Sequence, residues 1–210
     1  VNSGQPNLRT TVPTNYDRRH LFTAFLIYRF GGDGNGGRGH KYNGPAALKP
    51  VLQNFGWSAT LRGGSGVPYS GQSNVTGTQL LGGGGQPSLE GSINGNRLPW
   101  EFNIDLMVDK DINIFWGKKK EGGDNDNRKK STLNIYLQVL NVFDIQNTIG
   151  VYAATGNPDD DGYLTAPQFQ PFINGQIDPL AFQDMYTLKV NDPRNLSLPR
   201  RIRLGAILSF

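Results

Sequence analysis

Cysteine is absent from this chain of 210 residues, and histidine and methionine occur only twice each. Without cysteine, the chain can have neither a disulfide framework nor thiolate metal ligands nor a cysteine nucleophile. The two histidines, His20 and His40, show no metal-ligand spacing, so we interpret both as ordinary surface residues. No carboxylate pair, nucleophile and base, or metal cluster stands out, and we expect that the protein is not an enzyme.

Charge is also sparse, at 18% of the residues, with a net charge of +4. The basic side chains collect in residues 117–130 and 199–203, but acidic residues and glycines interrupt the first cluster. Nucleic-acid recognition ordinarily combines such charge with a recognisable helix pattern or with aromatic platforms. The sequence predicts neither, so we expect no nucleic-acid partner.

A long hydrophobic run is missing as well. The longest, LFTAFLIYRF at residues 21–30, is shorter than the roughly 18 residues of a transmembrane helix. The sequence therefore predicts no helical membrane protein. It leaves open a membrane barrel, because barrel strands conceal their hydrophobicity in alternation.

Alternation with period two is the main pattern that is present, and 28 glycines and 13 prolines favour an all-β class. The clearest segment places apolar residues from Trp100 to Trp116 on one parity and mainly acidic or amide residues on the other, with Met107 and Lys110 among the exceptions. It is longer than an ordinary globular strand of about 5 or 6 residues. We predict strands near residues 19–30, 53–63, 99–116, 132–143 and 200–210.

Two all-β interpretations fit such strands. In a soluble β-sandwich, such as an adhesin or a carbohydrate-binding module, the apolar face covers a core. In an antiparallel transmembrane β-barrel the apolar face contacts lipid, the polar face lines a lumen, and aromatic residues mark both interfaces. If the last strand runs from the outside to the periplasm, the outer loops are 64–98 and 144–199, and the inner connections are 31–52 and 117–130.

The same assumption predicts which side chains face lipid and which face the lumen. One girdle of aromatic residues lies at the periplasmic interface and comprises Phe30, Phe55, Trp57, Trp116 and Phe210. A second girdle lies at the outer interface and comprises Phe22, Trp100 and Phe143. The lumen-facing residues are Arg62, Glu101, Asp105, Tyr136 and Arg203.

Five ordered segments resemble a known family. NYDRRHLFTA, GGSGVPYS, LPWEFNIDLMVDKDI, LNIYLQVLNVFD and LPRRIRLGAILSF are similar to the closing strands of TonB-dependent outer-membrane receptors, in particular the Oar-like, OmpA-related receptors of Bacteroidota. The resemblance covers Tyr16 to Phe210. It implies the C-terminal part of a barrel of about 22 strands in the bacterial outer membrane, with Phe210 in a terminal signal for barrel assembly.

The resemblance also implies transport of a large ligand, driven by TonB through an N-terminal plug that these segments do not include. About five strands are too few to close even a barrel of about 8, so we expect the plug and the remaining strands to come from the same polypeptide or from another chain. Outer-membrane lipid would surround them, and a lipoprotein is a further candidate partner. The alternative function is a structural barrel subunit of a larger outer-membrane assembly, without transport of its own.

The segment GNPDDDGYLTAPQ is a candidate calcium loop. Asn157, Asp159 and Asp161 occupy alternating ligand positions, Gly162 the turn position, and the Tyr163 carbonyl the next ligand position. Gln168 stands at position twelve, where a calcium loop has a bidentate glutamate. A plain acidic turn therefore stays open as the alternative, and calcium is the only candidate cofactor.

A short helix is predicted downstream, in IDPLAFQDMYTLKV. Asp178 is the expected N-cap and Pro179 lies in the first turn. Leu180, Met185 and Leu188 share one side, which we expect to pack against the rest of the loop, and a lid over the pore mouth is the alternative.

Overall fold

The computed structural model describes residues 11–31, 39–75, 88–117 and 129–210. Within them the fold is mostly strand with few helices, and the main sheet is antiparallel apart from one short parallel pair, which confirms the all-β class. The strands are β1 (Leu21–Gly31), β2 (His40–Lys41), β3 (Phe55–Gly64), β4 (Pro68–Tyr69), β5 (Gly71–Gln72), β6 (Leu89–Glu90), β7 (Asn96–Arg97), β8 (Glu101–Trp116), β9 (Lys129–Leu140) and β10 (Arg201–Ser209). The helices are α1 (Lys49–Leu52), α2 (Gln170–Asn174) and α3 (Pro179–Val190), with 3-10 turns at Ala46–Leu48, Pro167–Phe169 and Pro193–Asn195.

The main sheet has the strand order β10-β9-β8-β3-β1-β2, and its five long strands overlap the five alternating segments of the sequence. β9 pairs antiparallel with both β8 and β10, so Leu137 lies between Val108 and Leu204. One side of the sheet therefore carries the apolar parity of these strands, and we call it the apolar face. The opposite side, the polar face, carries residues such as Asp109.

β2 is an addition that alternation did not predict, because two residues carry no period. It pairs with the end of β1 in parallel, with Phe30 opposite His40. A Cβ at Gly39 would lie 2.4 Å from the Arg29 carbonyl oxygen, and Gly39 has φ of +131°. Glycine is therefore required where β2 approaches β1.

Two compact units make up the chain. The sheet unit comprises Phe22–Arg62, Phe102–Ile145 and Pro199–Phe210, and the loop unit comprises Val1–Leu21, Gly63–Glu101 and Gln146–Leu198. In the loop unit, β4 pairs with β7 and β5 with β6, and α2 and α3 follow. Three parts of the predicted connections lie outside the described residues: 32–38, 76–87 and 118–128.

The loop unit has a hydrophobic core of its own. Ile173 is fully buried in a cluster with Tyr163, Tyr186 and Val190. The rings of Tyr163 and Tyr186 stack with their centroids 4.9 Å apart, and Phe169 stacks on Tyr163 at 4.2 Å. Each such pair adds about 0.5–1.5 kcal/mol beyond the burial of its area. The aromatic cluster thus holds α2 and α3 against the preceding loop.

α3 begins where the sequence predicts. Asp178 is the N-cap, and its Oδ1 accepts a hydrogen bond of 3.0 Å from the Ala181 N–H. Pro179 occupies the first helical turn, where a missing N–H costs nothing. The cap therefore fixes the start of the helix locally.

The predicted packing side of α3 is wrong. Leu180, Met185 and Leu188 are exposed, whereas Tyr186 and Val190 are buried in the core. The helix carries apolar residues on more than one side, so helical periodicity alone does not decide which side packs. The aromatic cluster determines which side packs, because Tyr186 on α3 stacks on Tyr163.

We predict that Ile173→Ala destabilises the loop unit by about 2–5 kcal/mol, because it leaves a cavity in a fully buried site. The check is hydrogen exchange of the α3 backbone amides in the intact polypeptide. The matched control, Leu180→Ala, removes an exposed side chain and should change stability by less than about 0.5 kcal/mol. Equal effects of the two substitutions would contradict the core described above.

Candidate functional site

The polar face of the sheet unit carries a network of charges on β1, β8 and β9. Arg29 forms ion pairs with Asp109 and Asp111, and its Nη1 lies 2.7 Å from Oδ2 of Asp111. The Asn134 amide donates to both carboxylates, at 3.0 Å to Asp109 and 2.6 Å to Asp111. One cation and two carboxylates give the network a net charge of −1. Hydrogen bonds between charged groups are stronger than neutral ones, particularly where water is partly excluded.

Gly56 on β3 makes room for this network. A Cβ at Gly56 would lie 2.8 Å from Oδ1 of Asp109 and 3.1 Å from Nε of Arg29. A side chain at this position would displace one of the two charged groups. The glycine therefore lets the guanidinium lie close to the backbone of β3.

A second ion pair lies further along the polar face. Nη1 of Arg62 is 3.2 Å from Oδ2 of Asp105, so these two predicted lumen-facing residues contact each other. Oδ1 of Asp105 also accepts a hydrogen bond of 3.0 Å from the Asn141 N–H, at the turn that follows β9. The carboxylate thus links β3, β8 and this turn.

The other predicted lumen-facing residues have different surroundings. Tyr136 lies opposite Gly205, where a Cβ would come within 2.4 Å of the phenol ring, so the ring lies over the glycine. Arg203 is exposed on β10. Glu101, in the loop unit, accepts hydrogen bonds of 2.8 Å and 2.9 Å from Nη2 of Arg18. Whether these side chains face a lumen stays a prediction.

The predicted periplasmic girdle lies at one end of the long strands. Phe30 is at the end of β1, and Phe55 and Trp57 are half-buried at the start of β3. Trp116, at the end of β8, is exposed, and Phe210 is fully exposed just after β10. All these positions belong to strand ends in the sheet unit.

The predicted outer girdle lies at the other end of the long strands, within β1 or just outside β8 and β9. Trp100 precedes β8, is 60% exposed and stacks on His20 at 5.7 Å in the loop unit. Phe143 follows β9 and is 64% exposed. The ring centroids of Phe22 on β1 and Phe102 on β8 are 6.3 Å apart, so both rings lie on the side of the sheet to which the parity of Phe102 belongs, the apolar face. Contact of these rings with lipid stays a prediction.

The apolar face of the sheet unit is uncovered. Every buried hydrophobic side chain in the described ranges belongs to the loop unit. Apolar side chains of the sheet are exposed instead: Leu26, Ile112, Ile135, Leu137, Ile202, Leu204 and Leu208. An exposed apolar surface of this kind marks contact with a partner or a membrane.

The candidate calcium loop is organised by hydrogen bonds within the protein. Asp161 is buried, and its Oδ1 accepts from the Tyr163 N–H at 3.0 Å. Its Oδ2 accepts from the Tyr186 hydroxyl at 2.6 Å. Asn157 and Asp159 are exposed. The structure therefore gives Asp161 a role in joining the loop to α3, and calcium binding stays a prediction without a supporting contact.

The pKa values of two tyrosines near Asp161, Tyr163 and Tyr152, are raised. Burial raises the pKa of Tyr163, and the negative charge of Asp161 raises it further. Burial likewise raises the pKa of Tyr152, with Asp161 and Asp192 adding to the effect. Both phenols therefore stay protonated across the physiological range. The Tyr152 hydroxyl can then donate its hydrogen bond of 2.7 Å to the Val190 carbonyl at the end of α3.

The described part of the chain was also compared with the patterns of metal sites, membrane helices and known proteins. It contains no group of three histidine, aspartate or glutamate side chains that could hold a metal ion. None of its helices is long and apolar enough to cross a membrane. Comparisons with protein-family models, with curated proteins and with solved structures found no match for this chain.

The ion-pair partners are what sequence reasoning missed. The parity of β8 places Asp109 and Asp111 on its polar side, but nothing in the sequence pairs Arg29 with these two aspartates, 80 and 82 positions away. The signal that could have found them is the shared parity, once the order of β1, β3 and β8 is known. Arg18, the partner of Glu101, lies before β1, outside the alternating strand pattern, so the sequence does not predict which face it would share.

We predict that Arg29→Met destabilises the sheet unit by about 1–3 kcal/mol, between the values for exposed and for buried ion pairs, because it leaves two neighbouring carboxylates without a cation. The measurement is urea unfolding of the intact polypeptide. The control Arg203→Met removes an exposed arginine from the same face and should have little effect. A loss of similar size in both variants would show that the network contributes nothing specific.

Asp192 gives a prediction for pH. Hydrogen bonds from the Arg194 side chain and backbone lower the pKa of Asp192 from 3.8 to about 2. A lowered pKa means that this interaction is fully present above pH 3.8 and is lost as the pH falls through about 2. The Arg194→Gln variant should return the carboxyl titration towards its ordinary range, as followed by carbon-13 chemical shifts. An unchanged titration in the variant would contradict this assignment.

Proposed function

We propose that this chain forms part of the transmembrane barrel of a TonB-dependent outer-membrane receptor, which moves a large ligand across the bacterial outer membrane. The observation that carries the proposal is a long antiparallel sheet whose apolar face is uncovered, while all buried hydrophobic side chains in the described ranges lie in the loop unit. A soluble sandwich buries that face in a core. Lipid covers it without any further protein layer.

Strand length supports the same proposal. β8 has 16 residues and β9 has 12, whereas a tilted transmembrane strand needs about 9–11. Ordinary globular strands have about 5 or 6 residues. The paired parities of β8, β9 and β10 also match the outward apolar and inward polar alternation of membrane barrels.

The polar face suits the inside of a barrel. The ion pairs of Arg29 and Arg62 with aspartates of β8 give a charged but largely neutralised wall. Phe25 and Ile27, on the Arg29 side of β1, are exposed. A plug that fills the barrel would cover these two side chains, and we assign them to that contact.

The edges of the sheet require more strands in this proposal. The described strands form an open sheet in which β10 is one edge. In a bilayer, each unpaired backbone N–H or C=O costs several kcal/mol, so an open edge does not persist there. The remaining strands and the plug therefore belong to the proposal, from the same polypeptide or from a partner chain.

The resemblance of the five quoted segments supports the receptor class and the coupling to TonB. The folded loop unit supports an external role, because barrels carry their long loops on the outside. Its core around Ile173 gives the 144–199 loop a defined shape, which a ligand or a lipoprotein lid could contact. The ion pairs and the loops are the surfaces that a passing ligand meets.

The test uses single cysteines, since the chain has none of its own. Nitroxide labels on Leu204→Cys and Arg203→Cys, in the intact polypeptide in vesicles, compare adjacent residues on opposite faces of β10. We predict that oxygen, which concentrates in lipid, relaxes the first label, and that a water-soluble nickel complex relaxes the second. A Leu204→Cys label that neither reagent reaches would mean a protein core and overturn the membrane assignment.

A second experiment distinguishes the receptor from a structural subunit. The polypeptide that carries this sequence is purified from the outer-membrane fraction, and its intact mass and N-terminal sequence are determined. A plug domain ahead of these strands supports the receptor. A polypeptide without one, closed by a partner chain, overturns energy coupling through this protein and leaves the barrel assignment in place.

A further inference from the structure

Lys110 is the charged exception on the apolar face of β8, between Val108 and Ile112. Its ammonium donates to three backbone carbonyls: at 2.8 Å to Pro50, at 2.8 Å to Val51, and also to Gln53. An ammonium has three N–H donors, and all three have acceptors here. These carbonyls belong to α1 and the residue that caps its C-terminal end, where the helix dipole favours a cation.

These bonds fasten a short helical segment to the apolar face. The segment comprises the 3-10 turn Ala46–Leu48, α1 and Gln53, and we call it the collar (residues 46–53). After it, Asn54 adopts a left-handed φ of 58° and its carbonyl accepts a hydrogen bond of 3.0 Å from the Asp111 N–H. The chain thus reverses at Asn54 and enters β3, while the collar stays on the Lys110 side of the sheet.

Leu48 and Val51 are apolar side chains of the collar that remain exposed, at 49% and 61%. Next to the collar is a group of rings with polar tips. Tyr28 stacks on His40 at 5.4 Å, Phe30 contacts Tyr42 at 5.6 Å, and the Tyr42 hydroxyl donates to the Pro45 carbonyl at 3.2 Å.

We propose that the collar lies in the headgroup zone of the bilayer, with Leu48 and Val51 among the acyl chains and with Lys110 as its fastening. This inference rests on the proposed function, because the apolar face must contact lipid. Amphipathic rings such as Tyr28 and Tyr42 concentrate at the membrane interface. A lysine on the lipid side is costly at the midplane and costs little near the interface, which assigns Lys110 to the boundary.

A lipid surface fits the collar better than a protein partner does. The exposed side chains project from a single short helical segment, which is continuous with the uncovered apolar face of the sheet. The collar carries a single charged residue, Lys49, and its positive sign is the one that an anionic lipid surface favours. The collar would therefore set the depth at which the strands sit in the bilayer.

The experiment labels Val51→Cys with a nitroxide in the intact polypeptide, in vesicles of phosphatidylethanolamine and phosphatidylglycerol. Leu204→Cys reports whether the sheet is in lipid, and Glu90→Cys, on the exposed short strand β6 of the loop unit, reports water. The Val51 label should show an oxygen-to-nickel accessibility ratio above that of the Glu90 label by about threefold or more. A Val51 ratio equal to that of Glu90, with Leu204 in lipid, overturns the inference and leaves the proposed function standing. A Leu204 label outside lipid overturns both.

The fastening is tested by Lys110→Met in the Val51→Cys background. Methionine keeps an unbranched stem but donates no hydrogen bond, so the collar should detach and the nickel accessibility of the label should rise about threefold. Lys49→Met removes the same charge from the collar itself and leaves the Lys110 bonds in place. Equal nickel accessibility of the Val51 label with and without Lys110→Met would overturn the role of Lys110.

Discussion

Alternation in the long strands imposes the constraint on which the sheet unit depends. Every second side chain must lie on the same face, and pairing of Leu137 with Val108 and Leu204 extends one apolar surface across three strands. Burying one such side chain contributes about 1.5–3 kcal/mol, yet the sheet unit provides no buried hydrophobic core among its described residues. The stabilisation of this surface must come from its surroundings, which in the function proposed above are lipid.

The polar face depends on a different interaction. Its charged side chains are partly shielded from water and therefore need partners of opposite charge. Arg29 neutralises two aspartates, and the Asn134 amide occupies further oxygens of the same carboxylates. Such contacts need close approach of the strands' side chains, which is why glycine stands at position 56, beside the ion pair. Glycine thus has a structural meaning in this chain that its abundance alone does not reveal.

The existence and the faces of the five long strands could be predicted from the sequence, because period two is a local property of each strand. The N-cap at Asp178 was predictable for the same reason, since a cap needs only its neighbours. The packing side of α3 was not, because Tyr186 packs against Tyr163, which the helix sequence does not contain. The partners of Arg29 also depend on strand order, and only the folded sheet specifies that order.

Lys110 shows why exceptions to a local pattern are informative. Its charge contradicts the apolar parity of β8, and a strand-by-strand interpretation can only record the violation. In the folded chain the ammonium closes the C-terminal end of α1, so the same residue satisfies its donors and holds a helix that alternation could not predict. A buried or lipid-exposed cation without these carbonyls would be costly. With them, Lys110 marks the interface of the proposed membrane barrel. In the proposed barrel, the exception therefore locates where contacts within the chain replace lipid contact as the determinant of the strand pattern.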